Sequence, residues 1–205
     1  MLRVLEHPLA SHIITHLRDR TTKPATFRAL ASQLTLMLAI DATRDLATEE
    51  KTVETPLEST SGRVLIHQPI VVVAILRSGV SMVQPFLDVF PDVSVGYVGL
   101  ERDHVTAVAR SYYCKLPPLE GRRIFVVDPM LATGGSAAQA ITVVKQNGGS
   151  APRLVCIIAA PEGVAEIARH HPDVSVHVGV LDRALNARKY ILPGLGDFGD
   201  RLYGT

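Results

Sequence analysis

Arg123-Ile124-Phe125-Val126-Val127-Asp128-Pro129-Met130-Leu131-Ala132-Thr133-Gly134-Gly135-Ser136 decides the fold of this chain. The run up to Val127 is apolar and rich in β-branched residues, the pattern of a strand buried on both faces. Beyond Ser136, residues Ala137, Ala140, Ile141 and Val144 share one helical face, and Gly148-Gly149 closes that helix. Between strand and helix, small residues let backbone N–H groups approach an anion closely. The helix N-terminus adds partial positive charge and unpaired donors. Thr133 and Ser136 supply hydroxyls, and Asp128 at the strand end is placed to accept hydrogen bonds from a sugar diol. A P-loop would need a lysine before its Ser/Thr, and a dinucleotide fingerprint would need other glycine spacing. An ordinary turn would explain a lone Gly-Gly, but not the whole string with an acid at its start.

Working outward, similar apolar runs occur at Ile70-Val71-Val72-Val73-Ala74-Ile75-Leu76 and Leu154-Val155-Cys156-Ile157-Ile158, with a weaker one at Val174 to Val178. Helical patterns lie among them. Pro24 opens one in which Phe27, Leu30, Leu34, Leu38 and Ala42 form an apolar face, and Glu162 to Arg169 follows Pro161. The segment through Thr55-Pro56-Leu57-Glu58 is polar and leads into extended structure. Strands alternating with helices predict an α/β fold with a mainly parallel central sheet flanked by helices. Residues 70–76, 123–127 and 154–158 should be neighbouring strands. Ligands of such sheets sit outside the carboxyl ends of the strands, which directs attention to Leu76-Arg77-Ser78-Gly79 as well as to Asp128. Arg77 there can pair with a diphosphate oxygen or merely cap the sheet edge.

A chain of 205 residues suits one domain, residues 1–205. With 47% hydrophobic and 20% charged residues it has the composition of a soluble globular protein. A formal net charge of +1 argues against a nucleic-acid binder. No apolar run approaches a membrane span, and Glu6-His7-Pro8 interrupts any secretory signal. The two cysteines, Cys114 and Cys156, form no metal-type pair, and Cys156 reads as a buried small hydrophobe; reduced thiols fit the cytoplasm. His170 and His171 read as the solvated end of a helix rather than metal ligands.

The string Val126 to Ser136 resembles the loop that binds 5-phosphoribosyl 1-diphosphate (PRPP) in type I phosphoribosyltransferases, specifically its uracil phosphoribosyltransferase form. The wider family carries two adjacent acids at the loop start, whereas here Val127 and Pro129 flank a single Asp128, as in the uracil enzymes. Glu6-His7-Pro8-Leu9, Ala42-Thr43-Arg44-Asp45-Leu46, Glu54-Thr55-Pro56-Leu57, Ile75-Leu76-Arg77 and Tyr190-Ile191-Leu192-Pro193-Gly194-Leu195-Gly196-Asp197 look like that family too. The likeness therefore spans nearly the whole chain.

The resemblance implies transfer of the phosphoribosyl group of PRPP to uracil. It implies PRPP binding by Arg77, Arg102, Asp128, Pro129, Met130, Leu131, Ala132, Thr133, Gly134, Gly135, Ser136 and Asp197, with Arg77, Asp128 and Asp197 as the catalytic set. Ile191, Gly196, Asp197 and Phe198 map to the uracil-contacting residues, on a hood formed largely by the C-terminal segment. Tyr190, Ile191 and Leu195 should be buried there. A mobile arm would run through Tyr112 to Pro117. Glu101 and His104 depart from the family pattern before it, and Ser78 stands where alanine is commoner. Mg2+ would be carried by PRPP rather than by a protein cage. A cis peptide without proline is implied at or next to Leu76-Arg77, and a homodimer or higher homo-oligomer is expected, with neither nucleic acid nor membrane as partner. Replacing Gly134 should block the approach of the anion with little loss of folding. Competing readings are a phosphoribosyltransferase for another base, an RNA-binding regulator of the same fold, and a protein that holds PRPP without turnover.

Overall fold

The computed structural model describes the chain except residue 67 and residues 103–108, and side chains except those of residues 101–111. In chain order the elements are β1 (Leu2–Val4), α1 (Pro8–Arg18), α2 (Pro24–Ala42), β2 (Thr48–Glu54), β3 (Ser59–Leu65) and β4 (Ile70–Leu76). A 3₁₀ turn (Ser78–Met82), α3 (Val83–Val89), β5 (Ser94–Arg102), β6 (Ala109–Lys115), β7 (Arg123–Val127) and β8 (Met130–Leu131) follow. Then come α4 (Gly135–Gln146), β9 (Arg153–Ala159), α5 (Pro161–His170), β10 (Ser175–Leu181), β11 (Ala184–Leu185), β12 (Ile191–Leu192) and α6 (Phe198–Tyr203). Proline occupies the first turn of α1, α2 and α5, where its missing N–H costs nothing.

The central sheet runs β1-β10-β9-β7-β4-β5-β6, with β8 beside β9. Every pairing is parallel except β5 with β6. The three expected strands are indeed neighbours, in the order β9-β7-β4. Their unbroken apolar runs follow from cover on both faces. Val72, Ala74, Phe125, Val127, Val155 and Ile157 face one helical layer, with Ile13 and Leu17 of α1, Phe27, Leu34 and Leu38 of α2, and Phe198 and Leu202 of α6. The alternate residues Val71, Val73, Ile124, Val126, Leu154 and Cys156 face Ala137, Ala140, Ile141 and Val144 of α4 and Ile167 of α5. Each fully buried valine or leucine contributes about 1.5–3 kcal/mol relative to exposure, so these two layers dominate the stability.

Two expectations about single residues fail. His171 is only 7% exposed. Its Nε2 lies 2.9 Å from the Ala138 carbonyl oxygen and 3.3 Å from the Thr142 hydroxyl, so it pins the end of α5 to α4 instead of meeting solvent. Tyr190 is 49% exposed. It ends a turn in which the Asn186 side chain accepts from the N–H groups of Arg188 and Tyr190, and this turn carries the ring outward. Ile191 and Leu195, at 3% each, are buried as expected.

Opposite the carboxyl edge, Arg153 and Arg123 at the starts of β9 and β7 both bind Asp45, just beyond α2. The Arg153 contact, then burial working against it, then Arg123, together hold the Asp45 carboxyl well below the usual carboxylate range. The β2–β3 ribbon pairs with itself in antiparallel register from Thr48↔Leu65 to Glu54↔Ser59 and forms a sheet of its own. Val53, Leu57, Leu65 and Ile66 are all exposed along it and at its root.

Candidate active site

The parallel register places the residue after each strand on one edge. Ala74 of β4 lies opposite Val127 of β7, and Leu181 of β10 lies opposite Ala159 of β9. Arg77, Asp128, Ala160 and Asp182 therefore emerge side by side. The backbone of Arg102 ends β5 on the same edge, while its side chain lies outside the described residues, as do Asp103 and His104.

The loop after β7 is strapped to β9. Asp128 donates its N–H to the Val155 carbonyl, the Pro129 carbonyl accepts from Ile157 and Ile158 at 3.1 Å each, and Met130 and Leu131 form the short β8. Gly134 then caps α4 in the left-handed conformation, φ +83°, a region costly for any residue with a Cβ. A Cβ there would also lie 2.8 Å from both the Gly163 carbonyl oxygen and the Glu166 Cβ of α5. Gly163 answers it, since a Cβ at that position would meet the Ala132 carbonyl at 2.5 Å. Gly134 is thus required by packing against α5, and the expectation that its replacement would spare folding is wrong. Gly135 is the open position, where a Cβ would find only the Thr133 hydroxyl, 4.0 Å away.

A depression is lined by Asp128, Met130 to Gly134, Ser136 and Ala137. Of the expected loop residues only Pro129 and Gly135 lie off that lining: Pro129 is buried and Gly135 exposed. Asp128 keeps a partial opening to solvent while packed on its other sides. Burial pushes its carboxyl up to about 7, against the opposing pull of the Met130 N–H and the Ser78 hydroxyl. Ser78 Oγ lies 3.4 Å from Asp128 Oδ1. Beneath it, burial and the Asp128 charge push the Cys156 thiol up, which suits a packing role for that sulfur.

A second depression of about 270 Å3 shares Met130 with the first. Its lining brings Arg77 and Ser78 together with Asp197, Phe198, Gly199, Asp200, Tyr203 and Thr205. The Leu76-Arg77 peptide is cis, as the resemblance implied, and Leu192-Pro193 is cis as well. Asp197 caps α6 by accepting from the Asp200 N–H at 3.0 Å. Phe198 contributes to the cleft through its backbone side, because its ring is 1% exposed and packs edge-to-face on Phe27 at 5.1 Å. Ile191 and Gly196 lie outside this lining. Ile191 is buried in β12, and Gly196 is an exposed left-handed position.

Sequence reasoning placed the C-terminal stretch in the hood but named none of Gly199, Asp200, Tyr203 and Thr205, which line the cleft, as a site residue. The Asp197-to-Asp200 spacing, an acidic cap three residues before a second acid, was the available signal for a helix start there.

The family model described as uracil phosphoribosyltransferase matches residues 4–205. A uracil phosphoribosyltransferase of Thermus thermophilus is 47% identical over 205 residues, covering 100% of this chain and 99% of the relative. One from Finegoldia magna is 50% identical over 203 residues, covering 98% and 97%. Among solved structures, a protein of Aquifex aeolicus superposes with a TM-score of 0.91 at 38% identity over 100% of this chain and 99% of its own. A hypoxanthine-guanine phosphoribosyltransferase of Bacillus anthracis shares the fold alone, with a TM-score of 0.53 at 14% identity over 78% and 80%. With a glycine-capped strand-to-helix loop at the carboxyl edge and this likeness from one end of the chain to the other, the protein belongs to the uracil phosphoribosyltransferase family.

Proposed function

We propose that this chain transfers the phosphoribosyl group of PRPP to uracil, giving uridine monophosphate (UMP) and pyrophosphate. The observation that carries this reading is the meeting of two depressions at Met130. One is walled by backbone suited to a phosphate, the other by Arg77 and the C-terminal segment. The backbone donors of Ala132 to Ser136 hold the 5′-phosphate, and Asp128 orients the ribose hydroxyls. Arg77 and Arg102, the latter at the end of β5, bind the diphosphate. A bond forms from a uracil ring nitrogen to ribose C1 as the bond from C1 to the diphosphate oxygen breaks, the pyrophosphate leaving with the bonding pair and the proton of that nitrogen passing to solvent. Positive charge develops on the ribose, as in other glycosyl transfers, so positioning and electrostatics do most of the work.

Two carboxylates, Asp128 and Asp197, open on the cleft and are hard oxygen donors suited to Mg2+. These two carboxylates would face Mg2+ carried by the diphosphate, which would supply positive charge to balance the leaving group. The base is read by backbone groups near Ile191 and Gly196 to Phe198. Uracil offers an acceptor at O4 and a donor at N3, cytosine the reverse, and backbone groups cannot exchange these roles. The C-terminal segment serves as the hood. The whole chain works as one domain in the cytoplasm, and as a homodimer or higher homo-oligomer. An isolated two-stranded ribbon is marginal in water, so the exposed β2–β3 ribbon, with Leu65 and Ile66 at its root, supports cover by a second copy.

Incubation with PRPP, Mg2+ and, in turn, uracil, cytosine, orotate and hypoxanthine tests the reading. UMP should form, and the other bases should be left unreacted. Absence of UMP, or faster use of another base, would overturn it.

A further inference from the structure

Beyond β12, which pairs with β11, the C-terminal segment belongs to no strand over residues 193–197 and leads directly into α6. Its approach to the cleft turns at Gly194, where φ is +68° and a Cβ would lie 2.2 Å from the Ile191 carbonyl oxygen. Both polar groups of this one residue are taken. Its N–H donates to Asp182 Oδ2 at 2.8 Å, and its carbonyl accepts from Arg18 Nη1 at 2.8 Å. Arg18 and Asp182 are themselves joined by two bonds, Nη1 to Oδ2 at 2.9 Å and Nη2 to Oδ1 at 2.5 Å. The Asp182 side chain is 3% exposed and the Arg18 side chain 24%. Gly194 is therefore held inside a planar fork whose members come from the last turn of α1 and the loop after β10.

A second arginine holds the next residue to the same anchor. Arg201 of α6 donates to the Leu195 carbonyl at 2.8 Å, to the Leu17 carbonyl, and to the Asp19 carbonyl at 2.5 Å, and its guanidinium lies 4.5 Å from the centroid of the Phe27 ring. Two consecutive residues before the cleft are thus tied to the carboxyl end of α1. A bidentate Arg–carboxylate pair fixes orientation as well as distance, which a simple charge contact does not.

We infer that the Arg18–Asp182 pair is a specificity-determining positioning device: it fixes the backbone of residues 194–198 for base selection, acting through Gly194 without touching the base. The inference rests on the proposed assignment of uracil to that segment. Arg18→Lys keeps the charge but cannot span Asp182 and Gly194 together. Arg18→Gln removes the charge, and Asp182→Asn keeps an acceptor for the Gly194 N–H while weakening the fork. Steady-state rates would be measured against uracil and PRPP separately, with PRPP binding followed by calorimetry in the absence of base.

The expected result is a rise of about tenfold or more in KM for uracil in Arg18→Gln, a smaller rise in Arg18→Lys, and a PRPP dissociation constant within about twofold of wild type. The preference for uracil over cytosine should narrow in the same order. A merely structural pair would lower the active fraction and leave KM for uracil unchanged, and that outcome overturns the inference. So does a parallel rise in KM for both substrates. If Arg18→Gln fails to fold, Arg18→Lys and Asp182→Asn decide by the same criteria. Failure of the wild-type protein to make UMP would instead refute the functional reading, so the two failures are distinct.

Discussion

Gly134→Ala is the most informative single change, because the structure separates its effect on folding from the effect of its neighbour on binding. A non-glycine residue at φ +83° costs about 1–2 kcal/mol. The new Cβ would also press on the Gly163 carbonyl and the Glu166 Cβ at 2.8 Å. Such overpacking costs about 1–3 kcal/mol. The sum, about 2–5 kcal/mol, corresponds to a fall in Tm of roughly 4–20 °C for a chain of this length. Gly135→Ala is the control. Its Cβ meets nothing nearer than 4.0 Å, and alanine is the better helix former by about 1 kcal/mol, so the fold should be unharmed. The methyl would stand on the side of the Thr133 hydroxyl, where the phosphate is proposed to sit, and PRPP affinity should fall. Thermal melts of both variants and calorimetry with PRPP read the two effects apart. A wild-type Tm for Gly134→Ala would refute the packing argument. Wild-type PRPP affinity for Gly135→Ala would refute the placement of the phosphate.

Two further outcomes follow from the carboxylates. Asp128 offers both oxygens as acceptors to the two ribose hydroxyls only when ionised, and burial lifts it to about 7 in the free protein, so kcat/KM for PRPP should rise with pH through about 7 and level off above it. Because its folded value lies above the ordinary 3.8, the stability this group contributes is present in acid and lost as pH rises from about 4 to 7; Asp128→Asn should remove both dependences, as pH–rate and pH–melting profiles would show. Asp197→Asn should keep α6, since asparagine caps a helix as well as aspartate, yet lower turnover at least tenfold in a UMP-formation assay; unchanged turnover would remove Asp197 from the catalytic set.

The parts of the fold legible in the sequence are those coded by neighbouring residues. β4 begins and ends where its apolar run does, and α2 starts at Pro24 because proline tolerates only the first turn. The loop from Asp128 to Ser136 could be read because strand, small residues and helix follow one another without interruption. β5 went unseen because Gly96 and Gly99 break its apolar pattern, and its glycines serve cross-strand contacts: a Cβ at Gly99 would strike the Tyr112 ring. β1 went unseen because its three residues gain their meaning only from pairing with Val176 to Val178. His171 and Tyr190 were misplaced for the same reason, since polarity and hydrophobicity gave the tendency and a distant helix or a local turn decided the outcome. Nothing local marks Arg18 or Asp182 as partners.

The contrast between the two halves of the site has a kinetic consequence. The phosphate loop is built from one strand, one turn and one helix within a short stretch of chain, plus its straps to the next strand. The clamp on Gly194 joins residues separated by 164 and 176 positions, and Arg201 reaches Leu17 across 184. Closing such long loops loses chain entropy before any contact rewards it, so these contacts form late. On dilution from denaturant, recovery of phosphate binding should therefore precede recovery of turnover, and simultaneous recovery would show that the two halves fold as a unit. Between those two moments the chain would be a protein that holds one substrate and has not yet acquired its preference for the other.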